Sequence, residues 1–323
     1  MAPTKTAAQK AAEEKKAEER AARKKALEAV ATGNADVSVK ALDTKARDTL
    51  ARAVQARLIA LGCLDPKVDG EFGPNSQRAL MAFARHQHLP YDGALTPKIA
   101  HALLEETPDS FLPLTLGKDL ASRIVKYMLA QKQFVARLDG YLTIVYLEGS
   151  TKAGVPARNV FDQWNDRRML LRIAPGGKPE IVLNILATTE PGRLQKERAD
   201  GTAHIALGQQ KGWVVGTHTG ASGNNPHEAL IQRGRLAIVR DKNHSGHRDK
   251  GDTALTGSGM GINQHSAFRD PSHVGEWSAG CLVAQDHEGH KKFMRLVKKD
   301  PRYKATHDYR FMTAVIAAKS LPK

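Results

Sequence analysis

The spacing of hydrophobic residues changes along the chain and separates a charged tail, a helical module and a region of strands. Residues 1–40 alternate alanine with lysine, arginine and glutamate, and almost no large apolar side chain precedes Leu27. This stretch can be helical, but it has no apolar face to bury. We therefore predict a charged tail, flexible or helical, with a basic docking arm as the alternative.

Residues 44–106 predict a compact module of three helices. Leucine and valine recur at helical spacing in its first part, which predicts the first helix. One pattern then occurs twice: an Asp-Gly turn, a short spacer, and a proline at the first position of a helix. The turns begin at Asp69 and Asp92, and the helices begin at Pro74 and Pro97.

The sequence of residues 107–323 predicts a linker followed by a domain made mostly of strands. Residues 107–139 contain Pro108 and Pro113, and a helix is expected at Lys118–Leu138. Residues 140–323 carry short β-branched segments bounded by glycine, proline and asparagine. The expected strands are Tyr141–Tyr146, Met169–Ile173, Ile181–Leu186, Trp213–Val215 and Arg235–Val239, followed by a helix at Gly289–Val297 and a helix or strand at Phe311–Ala318. The predicted fold class is α+β and multidomain, a small three-helix module plus a mostly antiparallel β domain.

Composition and charge narrow the choice of partners without selecting one. The net charge is +15 and the isoelectric point is about 9.8, so the chain attracts polyanions such as nucleic acid, anionic lipid and anionic envelope polymers. Zinc-finger spacing, basic-region heptads and RNA-binding aromatic signatures are absent, which argues against a specific nucleic-acid partner. No apolar run reaches the length of about 18 residues that predicts a transmembrane helix.

The two cysteines lie in different kinds of sequence. Cys63 lies among leucines and is most simply a small buried hydrophobe, whereas Cys281 lies among serine, alanine and glycine, where packing gains little. No Cys-X-X-Cys pair occurs, so a disulfide framework is not expected. Cys281 is therefore the candidate reactive thiol, with a buried structural thiol as the alternative.

His265 is the candidate base for Cys281. A thiol needs a base or a cation nearby to react as a thiolate near neutral pH, and a hairpin can bring the two side chains together. Ser266 is expected to orient the imidazole. The small side chains of Ser278 and Ala279 leave the sulfur approachable.

Three further residues are expected in the same cleft. Gly280 lets the backbone turn so that amide N–H groups face a developing oxyanion. Asn263 precedes His265, and His218 follows a predicted strand from which it can reach the cleft, although a structural role fits His218 equally well. Together these groups predict an acyl-transfer site with a cysteine nucleophile.

A polar loop before the histidine segment matches the spacing of a calcium-binding loop. Oxygen-bearing side chains stand at loop positions 1, 3, 5, 9 and 12, and glycine stands at position 6. The candidate ligands are Asp241, Asn243, Ser245, Asp249 and Asp252. The last aspartate is shorter than the usual glutamate and basic side chains intervene, so an ordinary polar loop is the alternative. Such a calcium ion would be structural, and catalysis is expected to need no cofactor.

The helical module resembles a known family in its two turn-and-helix segments. The stretch runs from Val54 to Leu104 and contains VDGEFGPNSQRALMAFARHQHLPYDGALTPKIAHAL, which begins at Val68. It resembles the peptidoglycan-binding-like domain, a three-helix module attached to many wall enzymes. The resemblance implies that bacterial peptidoglycan is the partner and binds in the groove around the turns. A helical spacer without a ligand is the alternative.

The segment around the thiol resembles the catalytic signature of L,D-transpeptidases, cysteine enzymes that form or cut bonds at diaminopimelate cross-links. The matching residues are His265-Ser266 and, after a spacer, Ser278–Cys281. The resemblance implies that His265 is the base, Ser266 its orienter and Cys281 the nucleophile. It also implies an L,D-transpeptidase-like catalytic domain over residues 140–323.

Two positions depart from that signature. Ala279 stands where the family has a second histidine, and Val283 stands where it usually has an arginine. Recognition of a substrate carboxylate, and the choice between transpeptidation and hydrolysis, therefore stay open. The Ser-Ala-Gly-Cys variant also resembles phage and prophage wall-degrading proteins with the same N-terminal module, which favours an endolysin.

Three functions follow from these patterns. The first is a peptidoglycan-active cysteine enzyme that cleaves or exchanges peptide cross-links through a Cys281 acyl-enzyme. The second is a zinc-dependent peptidoglycan amidase or peptidase with ligands among His204, His218, His265 and Cys281, although no tight ligand pair occurs. The third is a non-catalytic wall-binding structural protein. Because no secretory signal is recognised, we expect synthesis in the cytoplasm and delivery to the wall or periplasm by a phage or effector route.

Overall fold

The computed structural model describes residues 6–196, 199–220 and 226–323. Over these residues the chain forms two units, which divide between Pro113 and Leu114. The first unit is helical, and the second consists mostly of antiparallel strands. This architecture confirms the predicted α+β, multidomain fold class. None of the described helices is both long and apolar enough to cross a bilayer.

The first unit contains the three predicted helices of the module. Its elements are α1 (Ala7–Ala31), β1 (Val37–Ser38), α2 (Val39–Leu42), α3 (Asp48–Ala60), α4 (Pro74–His86), β2 (Ala94–Leu95), α5 (Pro97–Glu105) and α6 (Pro108–Phe111). Pro74 and Pro97 are the first residues of α4 and α5, as predicted. Thr96 caps α5 by accepting the N–H of Ile99 at 3.2 Å.

A buried glutamine holds the first Asp-Gly turn against α3. The Nε2 of Gln55 donates to Asp69 Oδ1 at 2.8 Å and to the carbonyl of Glu71 at 3.0 Å. Its Oε1 accepts the N–H groups of Asp69 at 3.1 Å and Gly70 at 2.9 Å. Gly70 has φ +81°, and a Cβ there would lie 2.0 Å from Asp48 Oδ1. Both the conformation and the space therefore require glycine in this turn.

The charged N-terminal stretch packs more than its composition indicates. Helix α1 contacts α3 and α5, and near its end Leu27 and Val30 are only 1% and 8% exposed. The prediction that this stretch has no face to bury is therefore wrong for its last turns, whereas its earlier turns are exposed. Leu27 and Val30 are two apolar residues after a long run of alanine and charged residues. Two residues are too few to show a helical period, so the sequence did not indicate the contact of α1 with α3 and α5.

The second unit is built around a closed barrel of eight strands within the described residues. Its elements are α7 (Leu120–Ala130), β3 (Thr143–Glu148), β4 (Asp166–Ile173), β5 (Pro179–Thr188), β6 (Thr202–Ile205), β7 (Gly208–His218), β8 (His227–Gln232), β9 (Leu236–Asp241), β10 (Thr253–Gly257), β11 (Gln264–Ser266), β12 (Leu282–Ala284), α8 (His287–Val297), α9 (Pro301–Ala305) and β13 (Phe311–Ala317). Around the barrel the strand order is β11-β12-β5-β4-β3-β13-β7-β8, and β6, β9 and β10 form a separate sheet. Most neighbours are antiparallel, but β11–β12 and β13–β3 are parallel.

Strand β3 lies between β4 and β13 in the barrel and is buried on both faces. Ile144 and Tyr146 pack in one hydrophobic cluster with Phe293 of α8, while Val145 and Leu147 pack in a second cluster that includes residues of α7. A strand covered on both faces reads as a continuous apolar run, which is why the sequence indicated it clearly.

Helix α7 ends earlier than predicted. Lys132 adopts a left-handed conformation with φ 55°, and the N–H of Gln133 reaches back to the carbonyl of Met128 at 2.8 Å. Glycine usually holds such a position, so a lysine there gave no signal of a helix end.

Charged side chains are buried together where β3, β4, β5 and β6 meet. The guanidinium of Arg248 contacts carboxylate oxygens of Glu148 and Glu190, the latter at 3.0 Å. Glu190 also contacts the Nδ1 of His204, which is fully buried. Asp166 accepts the N–H of Gly149 at 2.8 Å. These ion pairs neutralise part of the buried charge, but the acidic side chains in the cluster outnumber the basic ones.

A single hydroxyl lies between two of these acids and indicates a shared proton. The Oγ1 of Thr189 is 2.7 Å from Glu148 Oε1 and 2.9 Å from Asp166 Oδ2. A hydroxyl carries one hydrogen and can donate to only one of them, so the other contact fits a protonated carboxyl group. Burial, together with the charge of Glu148, raises the pKa of Asp166 to about 7, and the two acids titrate as a pair.

This pair makes stability fall as pH rises. Because the folded pKa lies above the unfolded value near 4, the protonated pair stabilises the fold at low pH, and that contribution disappears as pH approaches about 7. We expect the free energy of unfolding to drop by about 2 kcal/mol between pH 5 and 7. Glu148→Gln should flatten this slope, since its amide donates to Thr189 and still accepts from Arg248.

Urea unfolding followed by tryptophan fluorescence measures the effect, because Trp164, Trp213 and Trp277 all lie in the second unit. Glu180→Gln is the control, since Glu180 forms an exposed ion pair with Arg172. Equal slopes in Glu148→Gln and the unaltered protein would contradict the shared proton.

Candidate active site

The two predicted catalytic residues lie on a pair of parallel strands. Strands β11 and β12 pair in a register that places His265 opposite Val283. Because side chains alternate along a strand, Cys281, two residues before Val283, faces the same side as His265. The predicted hairpin is therefore wrong. Parallel strands need a crossover, which here runs through residues 267–281.

Gly280 shapes the end of this crossover. Its φ is +126°, and a Cβ there would lie 2.6 Å from the carbonyl oxygen of Ala203. The N–H of Gly280 donates to Ser278 Oγ at 3.2 Å, and the Ser278 hydroxyl donates to the carbonyl of Cys281 at 2.8 Å. Ser278 therefore braces the turn that presents the thiol. Because the Gly280 amide is engaged in that turn, its use as an oxyanion donor stays a prediction.

A cleft of about 680 Å³ opens over the two strands. Most of the predicted site residues line it, namely His218, His265, Ser266, Ser278, Ala279 and Cys281. Its walls also include Phe268 and Trp277, whose ring centroids are 5.8 Å apart, and the charged side chains of Arg193 and Glu276. The sequence did not indicate Arg193, because the loop that carries it lies far from the cysteine motif.

Cys281 presents a neutral thiol to the cleft. Its Sγ donates to the carbonyl of Gly261 at 3.3 Å and accepts the N–H of Asn263 at 3.4 Å. Removal of the sulfur from bulk water raises the pKa of the thiol to about 11, although the Asn263 N–H opposes the shift. The thiol hydrogen therefore points at a carbonyl rather than at an imidazole, and it must be redirected before it can pass to a base.

His265 is arranged as a neutral base. Its Nδ1 lies 3.1 Å from the carbonyl oxygen of Ser266. A carbonyl can only accept, so Nδ1 carries the hydrogen and Nε2 keeps the lone pair that a general base needs. Burial, with a further contribution from His218, holds the pKa of His265 well below its usual range. The imidazole is therefore unprotonated near neutral pH.

The serine after the histidine acts through its backbone. The carbonyl of Ser266 receives the Nδ1–H of His265, whereas its hydroxyl lies 2.8 Å from the Nδ1 of His287. The hydroxyl is thus engaged with a different histidine, and the contact from Ser266 to His265 comes from the backbone carbonyl; the orienting role of Ser266 stays a prediction.

His218 stacks on the candidate base. The rings of His218 and His265 are 3.9 Å apart and nearly parallel, at 12°. The Nδ1 of His218 lies 3.2 Å from the side-chain nitrogen of Asn263, whose Oδ1 accepts the N–H of Gln232 at 2.9 Å. Burial, with a contribution from His227, lowers the pKa of His218 to about 4. The stack therefore restricts the His265 ring without adding a charge.

A buried arginine beneath the cleft was not predicted from the sequence. Arg168 on β4 is fully buried, and its Nη2 donates to the carbonyls of His265 and Leu282, both at 2.8 Å. Its Nη1 lies 2.8 Å from the Nδ1 of His290, and its Nε donates to the hydroxyl of Tyr146. One side chain thus connects β11, β12, β3 and α8.

The partners of Arg168 are neutral groups rather than acids. Carbonyl oxygens, a phenol and an imidazole surround the guanidinium, whose central carbon also lies 4.9 Å from the ring centroid of Phe293. A buried cation is tolerated only when its donors are satisfied. We infer that Arg168 fixes the two strands that carry the candidate pair, His265 and Cys281.

The loop predicted to bind calcium is closed by hydrogen bonds among its own groups. Asp241 accepts the N–H of Ser245 at 3.0 Å, and the Asn243 amide donates to Asp249 at 3.0 Å. Asp252 accepts the N–H of Asp249 at 2.6 Å. Across residues 6–196, 199–220 and 226–323, no group of three or more His, Cys, Asp or Glu side chains is arranged to hold a metal ion. The calcium site stays a prediction.

Three of the four alternative zinc ligands line one cleft, and His204 is not among the residues that line it. His204 contacts Glu190, and its Nε2 is 3.8 Å from Asp241, whereas His218, His265 and Cys281 line the cleft. A ligand set that includes His204 is therefore wrong. The groups in the cleft can instead supply a thiol nucleophile and a neutral base.

Residues 47–103 match a protein family described as a putative peptidoglycan binding domain. The match covers α3, α4 and α5 and confirms the predicted identity of the module. None of the curated proteins matches the chain.

Two solved structures are similar to the chain at low sequence identity. One is the L,D-transpeptidase, residues 123–326, from Xylanimonas cellulosilytica, with 14% identity, a TM-score of 0.22, and coverage of 82% of this chain and 92% of that one. The other is a fused Zn-dependent amidase/peptidase/peptidoglycan-binding domain-containing protein from Clostridium acetobutylicum, with 13% identity, a TM-score of 0.26, and coverage of 82% and 94%. Both TM-scores are too low to carry an argument about this chain.

The neutral thiol predicts slow alkylation of Cys281. In Cys63→Ser, which leaves one thiol, the rate with iodoacetamide should rise about tenfold per pH unit from pH 6 to 10 without a plateau, because the pKa is raised to about 11. Mass spectrometry of the labelled peptide measures the rate, and Cys281→Ala shows the background. A plateau below pH 7 would instead indicate a thiolate–imidazolium pair.

The role of Arg168 predicts a large loss of stability on its removal. Arg168→Met should lower the free energy of unfolding by about 3 kcal/mol, because several buried acceptors lose their donor. Arg167→Met is the matched control, since the adjacent Arg167 bonds only to Asn184 among the described contacts and lies at the edge of the buried region. Urea unfolding by tryptophan fluorescence compares the two, and equal losses would count against the bridging role.

Proposed function

We propose that this chain is a peptidoglycan-active cysteine enzyme that cleaves peptide cross-links of the bacterial cell wall through an acyl-enzyme on Cys281. The observation that supports this most is the register of β11 and β12, which brings His265 and Cys281 to one cleft. The match of residues 47–103 to a peptidoglycan-binding family supports a cell-wall-related function for the chain. An L,D-transpeptidase-like domain over residues 140–323 is part of the same proposal.

The proposed reaction begins from the neutral pair. When a peptide carbonyl enters the cleft, the thiol hydrogen leaves Gly261 and passes to Nε2 of His265 while Sγ bonds to the carbonyl carbon. The tetrahedral oxyanion collapses, the C–N bond breaks, and the leaving amine takes the proton from Nε2. A water molecule then attacks the thioester while Nε2 of His265 takes one of its protons. The C–S bond breaks, the imidazolium returns that proton to the sulfur, and the acid is released.

The site geometry favours proton transfer during attack over a standing ion pair. The pKa of the thiol is raised and that of His265 is lowered, so both groups are neutral before substrate binds. The N–H of Asn263, directed at Sγ, stabilises negative charge on sulfur as the proton leaves. The thiol and the imidazole supply nucleophile and base, so the proposed chemistry requires no cofactor.

We place this activity at the cell wall or periplasm, where the module would bind bacterial peptidoglycan and raise the local concentration of cross-links. The net charge of +15 would add attraction to anionic envelope polymers. An endolysin, delivered by a phage or as an effector, suits this combination of a binding module and a hydrolytic domain. Exchange onto an amine instead of water remains within the same mechanism.

The mechanism predicts that Cys281→Ala and Cys281→Ser release no soluble peptidoglycan fragments from purified sacculi. Both variants should still sediment with sacculi, because the first unit is unchanged. Cys63→Ser is the matched control and should keep full activity, since Cys63 is 1% exposed within the first unit. Liquid chromatography with mass spectrometry identifies the bond cut and the acceptor. Undiminished release by Cys281→Ala would refute the assignment.

The same assay separates the alternatives. Activity should persist in EDTA, whereas loss in EDTA that is restored by zinc but not by calcium would indicate a zinc enzyme. Absence of any release by the unaltered protein, with sedimentation retained, would indicate a wall-binding protein without catalysis.

A further inference from the structure

The cleft carries opposite charges at its rim. Among the described residues that line it, Arg193 and Glu276 are the side chains of fixed charge. Their charged groups are 2.9 Å apart, and the side chains are 64% and 85% exposed. Deeper in the cleft, burial keeps His218 and His265 neutral. Among the described lining residues, a ligand therefore meets one cation and one anion at the rim and the neutral imidazoles of His218 and His265 below them.

The two charges are attached to the same segment as the nucleophile. The N–H of Gly192, next to Arg193, donates to the carbonyl of Ser278 at 2.9 Å. A Cβ on Gly192 would lie 2.3 Å from the backbone nitrogen of Gly275, so the two backbones are in direct contact. The turn that carries Glu276 leads directly into the residues before Cys281. These contacts fix the backbones that carry Arg193 and Glu276 relative to the segment that carries Cys281.

The Glu276 turn is itself anchored. The N–H of Gly275 donates to Asp162 Oδ1 at 2.6 Å, and Gly275 has φ 50°. Neither anchor uses the charged ends of Arg193 or Glu276, which leaves those ends able to change partners without unfolding the turn.

An exposed ion pair of this kind is weak and easily exchanged. Such pairs contribute about 0–1 kcal/mol, because water competes for both charges. A ligand with one carboxylate and one ammonium group can replace each partner by its own and keep both charges satisfied. A purely anionic ligand would be repelled by Glu276, and a purely cationic ligand would be repelled by Arg193.

We propose that Arg193 and Glu276 form a receptor for a zwitterionic amino-acid centre of the substrate, with Arg193 binding its carboxylate and Glu276 its ammonium group. This inference rests on the proposed function, since it identifies the part of a peptidoglycan peptide that Arg193 and Glu276 bind at the rim of the cleft. The pair determines specificity and takes no part in proton transfer. Peptides whose free amino-acid centre is blocked at either group bind less tightly.

The test measures binding to the full chain carrying Cys281→Ala, so that no turnover intervenes. The probes are synthetic stem peptides with one diamino-acid residue whose side-chain amino and carboxyl groups are free, N-acetylated or amidated. Isothermal titration calorimetry should show that each block weakens binding by about tenfold. Adding Arg193→Gln should abolish the effect of amidation, and adding Glu276→Gln should abolish the effect of acetylation.

Arg172→Gln provides the matched control, because Arg172 forms an exposed ion pair of similar length with Glu180, at 2.8 Å, and neither lines the cleft. Arg172→Gln should leave unchanged the loss of affinity caused by acetylation and the loss caused by amidation. Arg193→Lys should keep part of the discrimination against the amide, since the charge is retained.

The failures are distinguishable. Equal affinity for free and blocked peptides, or discrimination that survives Arg193→Gln and Glu276→Gln, would overturn this inference while sacculus digestion by the unaltered protein still supported the proposed function. If the unaltered protein releases nothing from sacculi and the free peptide does not bind, the proposed function is wrong and this inference falls with it.

Discussion

The geometry of the candidate site depends on one buried cation. Strands β11 and β12 are three residues long each, so their own ladder fixes their register only weakly. Arg168 adds two hydrogen bonds to their carbonyls, at His265 and Leu282, immediately beside the imidazole and the thiol. Because the guanidinium of Arg168 is fully buried, a shift of either strand would leave its charged N–H groups without acceptors and without water. That penalty holds the candidate catalytic pair, His265 and Cys281, in place.

The same arrangement separates neutral chemistry from charged recognition. In the interior, His218 stacks on His265 and burial keeps both neutral, while the thiol is protonated. The charged groups Arg193 and Glu276 lie at the rim, where water screens them. In the proposed mechanism, this separation positions a substrate by its charges without placing a fixed charge next to the reacting carbonyl. The match to a peptidoglycan-binding family in the first unit makes the wall the natural source of such substrates.

The sequence predicted the parts with strong local signals and missed those that depend on tertiary contacts. The paired Asp-Gly turns and prolines predicted α4 and α5, and apolar runs predicted β3 and β5, whereas the apolar run at β13 left helix and strand open. Strands β11 and β12 are too short to show a period, so their parallel pairing was mistaken for a hairpin. Cys281 and His265 were found by their residue types, but Arg168 looked like one more charge in a basic chain. Arg193 and Glu276 are distant in sequence, and only folding brings them together.

Rapid quenching during turnover tests the central claim most directly. The unaltered protein is mixed with sacculi, quenched in acid within milliseconds to seconds, digested and analysed by mass spectrometry. The account predicts a transient peptidyl adduct on the fragment that contains Cys281, which forms more slowly in His265→Gln. Product release without any adduct on that fragment, or an adduct on another residue, would contradict it.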